Sequence, residues 1–117
     1  MDHPNFDISE CISRIRSKDA MTFEDAFDEL HPIASHYISE LIAELETADD
    51  AYTRGKFLEL LGFSHSDSVI PILSGELDHP DQNVRQWAIL ALEEINSPSS
   101  LSKATAYKAS HPGEFAS

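Results

Sequence analysis

A shift of 31 residues lays much of this chain over itself, and no other feature restricts its fold so strongly. Under that shift Arg54 falls on Arg85, Phe57 on Ala88, Leu61 on Leu92 and Asp50 on Asp81. Shifted back, Phe57 falls on Ala26, Leu61 on Leu30, Leu73 on Ile42 and Val69 on Ile38. A unit this short holds one pair of helices and cannot bury its apolar side alone, so copies must stack. The repeat predicts an all-α chain: a short α-solenoid of three hairpins near residues 22–48, 49–79 and 80–110. An N-terminal helix around residues 8–16 caps the stack. Residues 1–110 then form one domain, and 111–117 a flexible tail.

Helical periodicity supports each hairpin. Phe23, Ala26, Phe27 and Leu30 share one stripe, with Glu24, Asp25, Asp28 and Glu29 opposite and Thr22 as the expected N-cap. Apolar positions from Ile33 to Leu45 predict a single helix over residues 33–46, with Tyr37 on its core side. Asp50 caps the next helix, and Gly62 is expected to close it in a left-handed conformation. Ser66 or Asp67 opens a helix through Leu77. Asp81 opens the most apolar one, which carries Val84, Trp87, Ala88, Ile89, Leu90, Ala91, Leu92 and Ile95. Such a helix needs neighbours on several sides. Asn96-Ser97-Pro98 stops it, and a weaker helix follows near residues 101–107.

The stretch Asp78-His79-Pro80-Asp81-Gln82-Asn83-Val84-Arg85-Gln86-Trp87-Ala88, followed by Ala91-Leu92 and Ile95, resembles a short HEAT-like repeat. The preceding unit is similar through Arg54, Leu61, Gly62 and the segment Ser68-Val69-Ile70-Pro71-Ile72-Leu73, while the first carries Phe23 where the arginine belongs. Arg54 and Arg85, at equivalent positions, are expected to bond one repeat to the next. The resemblance implies a stacked helical fold, and its functions include scaffolds, inhibitors and occasional enzymes.

Chemistry is excluded more readily than assigned. No Gly-rich phosphate loop, nucleophile elbow or His-Glu-x-x-His helix is present, so no catalytic residue is assigned. A single cysteine, Cys11, rules out an internal disulfide framework and a cysteine-based zinc site, and fits a reducing compartment. Asp28-x-x-His31 and the run His36, Glu40, Glu44 have the spacing of di-metal bundles. The residues after the six histidines are Pro, Pro, Tyr, Ser, Pro and Pro, so the His-Glu dipeptide of HEAT-repeat di-iron enzymes is missing. No metal and no cofactor is therefore expected. The first twenty residues lack an apolar stretch, and no run approaches the ~18 apolar residues of a membrane span, which predicts a cytoplasmic protein.

Charge is the functional clue. Eight Lys and Arg stand against twenty-one Asp and Glu, a net charge of −13, which disfavours nucleic acid and anionic membranes as partners. From Asp19 to Asp50 there are ten acids and no Lys or Arg. Glu24, Asp25, Asp28 and Glu29 group on one helix. Glu40, Glu44 and Glu76 fall on second helices, which usually line the concave surface of a solenoid. Trp87, Tyr37, Tyr52 and Tyr107 are the candidate aromatic anchors, and Trp87, at the edge of its stripe, joins the seven acids. These eight residues form the expected partner-binding set, directed at a basic protein. In size, single-domain build and acidity the chain resembles bacterial immunity proteins that occlude a basic nuclease toxin. The alternatives are a general scaffold or adaptor, whose acidity serves solubility, and a HEAT-like lyase or metal-dependent enzyme. Oligomeric state is left open by the sequence.

Overall fold

Four aspartates decide where helices begin. The computed structural model describes residues 6–115. In chain order it contains α1 (Ile8–Ile15), α2 (Ala20–Leu30), α3 (Ile38–Glu46), α4 (Ala51–Phe63), α5 (Ile70–Glu76), α6 (Gln82–Ile95), α7 (Pro98–Ser110) and a last helical turn, α8 (Pro112–Phe115). Asp7, Asp19, Asp50 and Asp81 accept first-turn backbone N–H groups at the starts of α1, α2, α4 and α6, satisfying donors that have no partner within the helix.

The chain is a short all-α HEAT-like solenoid with extents of 45 × 30 × 23 Å, the elongated outline of a stack. Helix α1 packs on α2, α3 on α4, α4 on α6, and α6 on both α5 and α7. Positions related by the 31-residue shift are core positions. Ala26, Leu30, Phe57, Leu61, Ala88 and Leu92 are all fully buried, as are Val69 and Leu73. Their first-hairpin counterparts Ile38 and Ile42 are only half-buried against the same core.

Glycine sets the spacing of the two central helices. A Cβ on Gly62 would come within 2.9 Å of the Ala91 Cα, and one on Gly55 within 2.5 Å of the Trp87 ring. The two glycines stand two turns apart on α4, so one smooth face lets α6 approach closely. This corrects the expectation that Gly62 ends its helix. It lies inside α4, and the left-handed residue is His65, at φ 51°.

Other boundaries differ for identifiable reasons. Asp19, not Thr22, caps α2; Thr22 donates its backbone N–H to the Asp19 carboxylate at 2.9 Å. The single helix expected over 33–46 is a 3-10 segment, His31–His36, followed by α3, because Ile33 (φ −118°, ψ 17°) and Tyr37 (φ −131°, ψ 29°) leave the helical region. A second 3-10 turn, Asp67–Val69, capped by Ser66, precedes α5. Helix α7 is longer than expected, because Ser97 and Ser100 form a reciprocal cap around Pro98. Leu90 is 54 % exposed, so α6 is not enclosed on every side.

Three arginines tie the stack together through one recurring arrangement. Arg54 forks onto the Glu76 carboxylate at 2.6 and 2.8 Å and donates to the Leu45 and Ala48 carbonyls at the end of the previous hairpin. Arg85, 31 residues on, binds Glu114 and donates to the His79 and Pro80 carbonyls. Ala48 and His79 are themselves related by that shift. Where the first repeat has Phe23 in place of the arginine, Arg16 of α1 reaches Glu44, the Glu44 carbonyl and Thr47. Each guanidinium thus satisfies carbonyls left open after a second helix. The segment expected as a tail from 111 includes α8, whose Glu114 is the carboxylate bound by Arg85 and also accepts from the Tyr107 hydroxyl at 2.9 Å. Residues 116 and 117 of that segment lie outside the described residues.

Candidate protein-interaction surface

The first helices of the hairpins, α2, α4 and α6, converge on one side chain. The Lys56 ammonium lies 5.0 Å from the Phe23 ring centre, 4.9 Å from Tyr52 and 5.1 Å from Trp87. Phe23 comes from α2, Tyr52 from the previous turn of α4, and Trp87 from α6, so a cation–π cluster spans all three helices. Trp87 is half-buried with its ring over Gly55. Tyr52 of this cluster is 61 % exposed, and Leu90, beside Trp87 on α6, is 54 % exposed.

A second aromatic row runs from α2 to the end of α4. Phe23 and Phe27 lie 5.5 Å apart, Phe27 meets Phe63 edge-on at 6.1 Å, and Phe63 sits 4.8 Å from the His31 ring. Between α4 and α6, Glu59, Phe63, Trp87, Leu90, Ala91 and Glu94 line a half-open cavity of about 220 Å³. Burial pushes the Glu59 carboxyl up from its ordinary value; Lys56 and His31 oppose the shift and Glu94 adds to it. Glu94 receives His65 Nε2 at 3.0 Å.

The acidic residues divide by what they already hold. Asp19 and Asp50, within the base-free run, are helix caps. Glu29 is bound by Arg14 at 2.8 Å, and that guanidinium holds its carboxyl below the usual range. Glu44 is bound by Arg16 and Glu76 by Arg54, so two of the three acids expected as a concave set are engaged within the stack. Glu24, Asp25, Asp28 and Glu40 are exposed and form no ion pair among the described residues. The first three of these stand on α2 and Glu40 on α3. All four arginines of the chain, by contrast, contact a carboxylate.

Sequence reasoning singled out Trp87 and weighed Tyr52, but did not find Lys56, Glu59, Phe63, Leu90 or Glu94 as members of this surface. One signal was present: Trp87, Leu90, Ala91 and Glu94 follow a 3–4–7 spacing that places them on one stripe of α6. Without the glycine face of α4 opposite, that stripe reads as core.

The remaining chemistry is quiet. Burial pushes the Cys11 thiol up to about 11, and its Sγ donates to the Ala26 carbonyl at 3.4 Å. A thiol held this way is a poor nucleophile. His31 is packed between Phe27 and Phe63 and His36 is exposed; no group of three metal-ligating side chains forms among the described residues. No helix among them is long and apolar enough to cross a membrane.

An arginine-laced stack of helical hairpins with a partly exposed aromatic face defines a helical-repeat protein. The family description that matches is HEAT repeats, over residues 38–114. The chain belongs to the HEAT-repeat family. No significant match is found among curated proteins or among solved structures.

Proposed function

We propose that this protein is a non-enzymatic binding module that engages a basic protein, most concretely an immunity protein occluding a cationic nuclease toxin. Membership in the HEAT-repeat family supports the coarser half of this reading, since such repeats serve as protein-interaction scaffolds. One observation carries the finer half: the arginines are engaged within the stack, while Glu24, Asp25, Asp28 and Glu40 stand exposed without ion partners among the described residues. A field of one sign steers an oppositely charged partner and speeds encounter, and the exposed Tyr52 and Leu90 with the half-buried Trp87 supply the short-range contacts. Trp87 stays in the partner-binding set. Glu29, Glu44 and Glu76 belong to it through the fold they hold together rather than as open charges.

The test uses the chain as bait in a low-salt extract of its source cells, with captured proteins identified by mass spectrometry. A basic protein should be retained and then released near ~1 M salt, where the Debye length falls to about 3 Å. Its nuclease activity should be silent in the complex and appear after release. A captured protein that is acidic, or that stays bound at high salt, would overturn the reading.

A further inference from the structure

We propose that the cavity between α4 and α6, walled by Phe63, Trp87, Leu90 and Ala91 and edged by Glu59 and Glu94, receives one arginine side chain of the basic partner. This rests on the basic-partner reading above and names the contact that would anchor it.

Size comes first. The cavity holds about 220 Å³, below the roughly 300–1,000 Å³ of pockets that take whole small molecules. It suits one long side chain. Its chemistry narrows the choice further, because apolar walls next to carboxylates match a methylene stem with a cationic head. Glu59 has no ion partner within 4 Å among the described residues, and the Lys56 ammonium beside it is already placed over three rings. Burial disfavours the charged form of Glu59, Lys56 and His31 offset this only in part, and the neighbouring Glu94 adds to it. An incoming cation relieves both effects, since it offsets the desolvation and screens one carboxylate from the other. Arginine fits better than lysine: its planar guanidinium stacks on an indole and can reach two carboxylates, whereas an ammonium is a compact, strongly hydrated point charge.

A second copy of this chain is a poor occupant. Each copy carries a net charge of −13, and its own arginines are held by Glu10, Glu29, Glu44, Glu76 and Glu114. The arginine must come from another protein.

Trp87 is the sole tryptophan of the chain, so its fluorescence reports occupancy directly. The probe is the tripeptide acetyl-Gly-Arg-Gly-amide, beside its lysine counterpart and its citrulline counterpart, which is neutral and nearly isosteric. The arginine peptide should give a saturable change with Kd about 1 mM. Citrulline should give none up to tenfold higher concentration, about 10 mM on the same scale. The double variant Glu59→Gln/Glu94→Gln should weaken binding at least ~10-fold while circular dichroism stays unchanged. Leu90→Ala, at an exposed position, should weaken it about threefold and carries the test if the double variant unfolds. Equal binding of citrulline or lysine, unchanged binding by the double variant, or no change at Trp87 would each overturn the proposal. The full partner separates the two readings. Salt-sensitive capture that survives Glu59→Gln/Glu94→Gln retains the basic-partner function and removes this pocket. Arginine-peptide binding without capture of any basic protein does the reverse.

Discussion

Glu59 shows how one carboxylate can weigh on a fold. Its pKa is raised by burial, so the folded state holds its proton more tightly than the unfolded state does. Between the unfolded and folded values the native chain binds more protons, and stability falls as pH rises through that window. At neutral pH the charged form is therefore a net cost, which is what a binding residue tolerates and a purely structural one would not. Glu59→Gln should raise the thermal midpoint at pH 7 and lose that advantage at pH values below the unfolded pKa. A lower midpoint at pH 7 would show that the charge is stabilising. In the sequence Glu59 is indistinguishable from a solvated helix acid, because its burial depends on α6 lying close by. Arg54 and Arg85 were legible, since the 31-residue shift places them together and their bonds to loop carbonyls repeat with the same offset.

Among the elements, first helices were easier to read than their partners. Helices α4 and α6 carry the buried pairs Leu61 and Leu92, and both leucines are fully buried. Leu61→Ala and Leu92→Ala should each cost ~2–5 kcal/mol in denaturant unfolding. Leu101, 37 % exposed on α7, should cost clearly less. Equal losses at all three positions would contradict the stack. The second-helix side of the first hairpin was misread because its apolar spacing is continuous from Ile33 to Leu45 while the backbone turns at Ile33 and Tyr37. Apolar spacing reports which residues face the core, not whether the backbone between them stays helical. The glycines carried the opposite lesson. Gly62 near the end of an apolar run has the signature of a closing residue, but its missing side chain is needed for contact with Ala91.

For the whole molecule, net charge was visible at once, but its meaning was not. Some acids cap helices or hold arginines, and others, Glu24, Asp25, Asp28 and Glu40 among them, stand open, a division that composition cannot show. Only the fold sorts them. The open set is where steering of a partner must originate, so the most direct test is the association rate of the captured basic protein against ionic strength. It is measured for the native chain and for a variant with Glu24, Asp25, Asp28 and Glu40 changed to lysine, after circular dichroism confirms both are folded. The native rate should fall at least ~10-fold as salt rises from low to physiological strength, and the variant should associate slowly with little salt dependence. Equal rates for the two chains at low salt would contradict the account, and the acidity would then serve solubility alone.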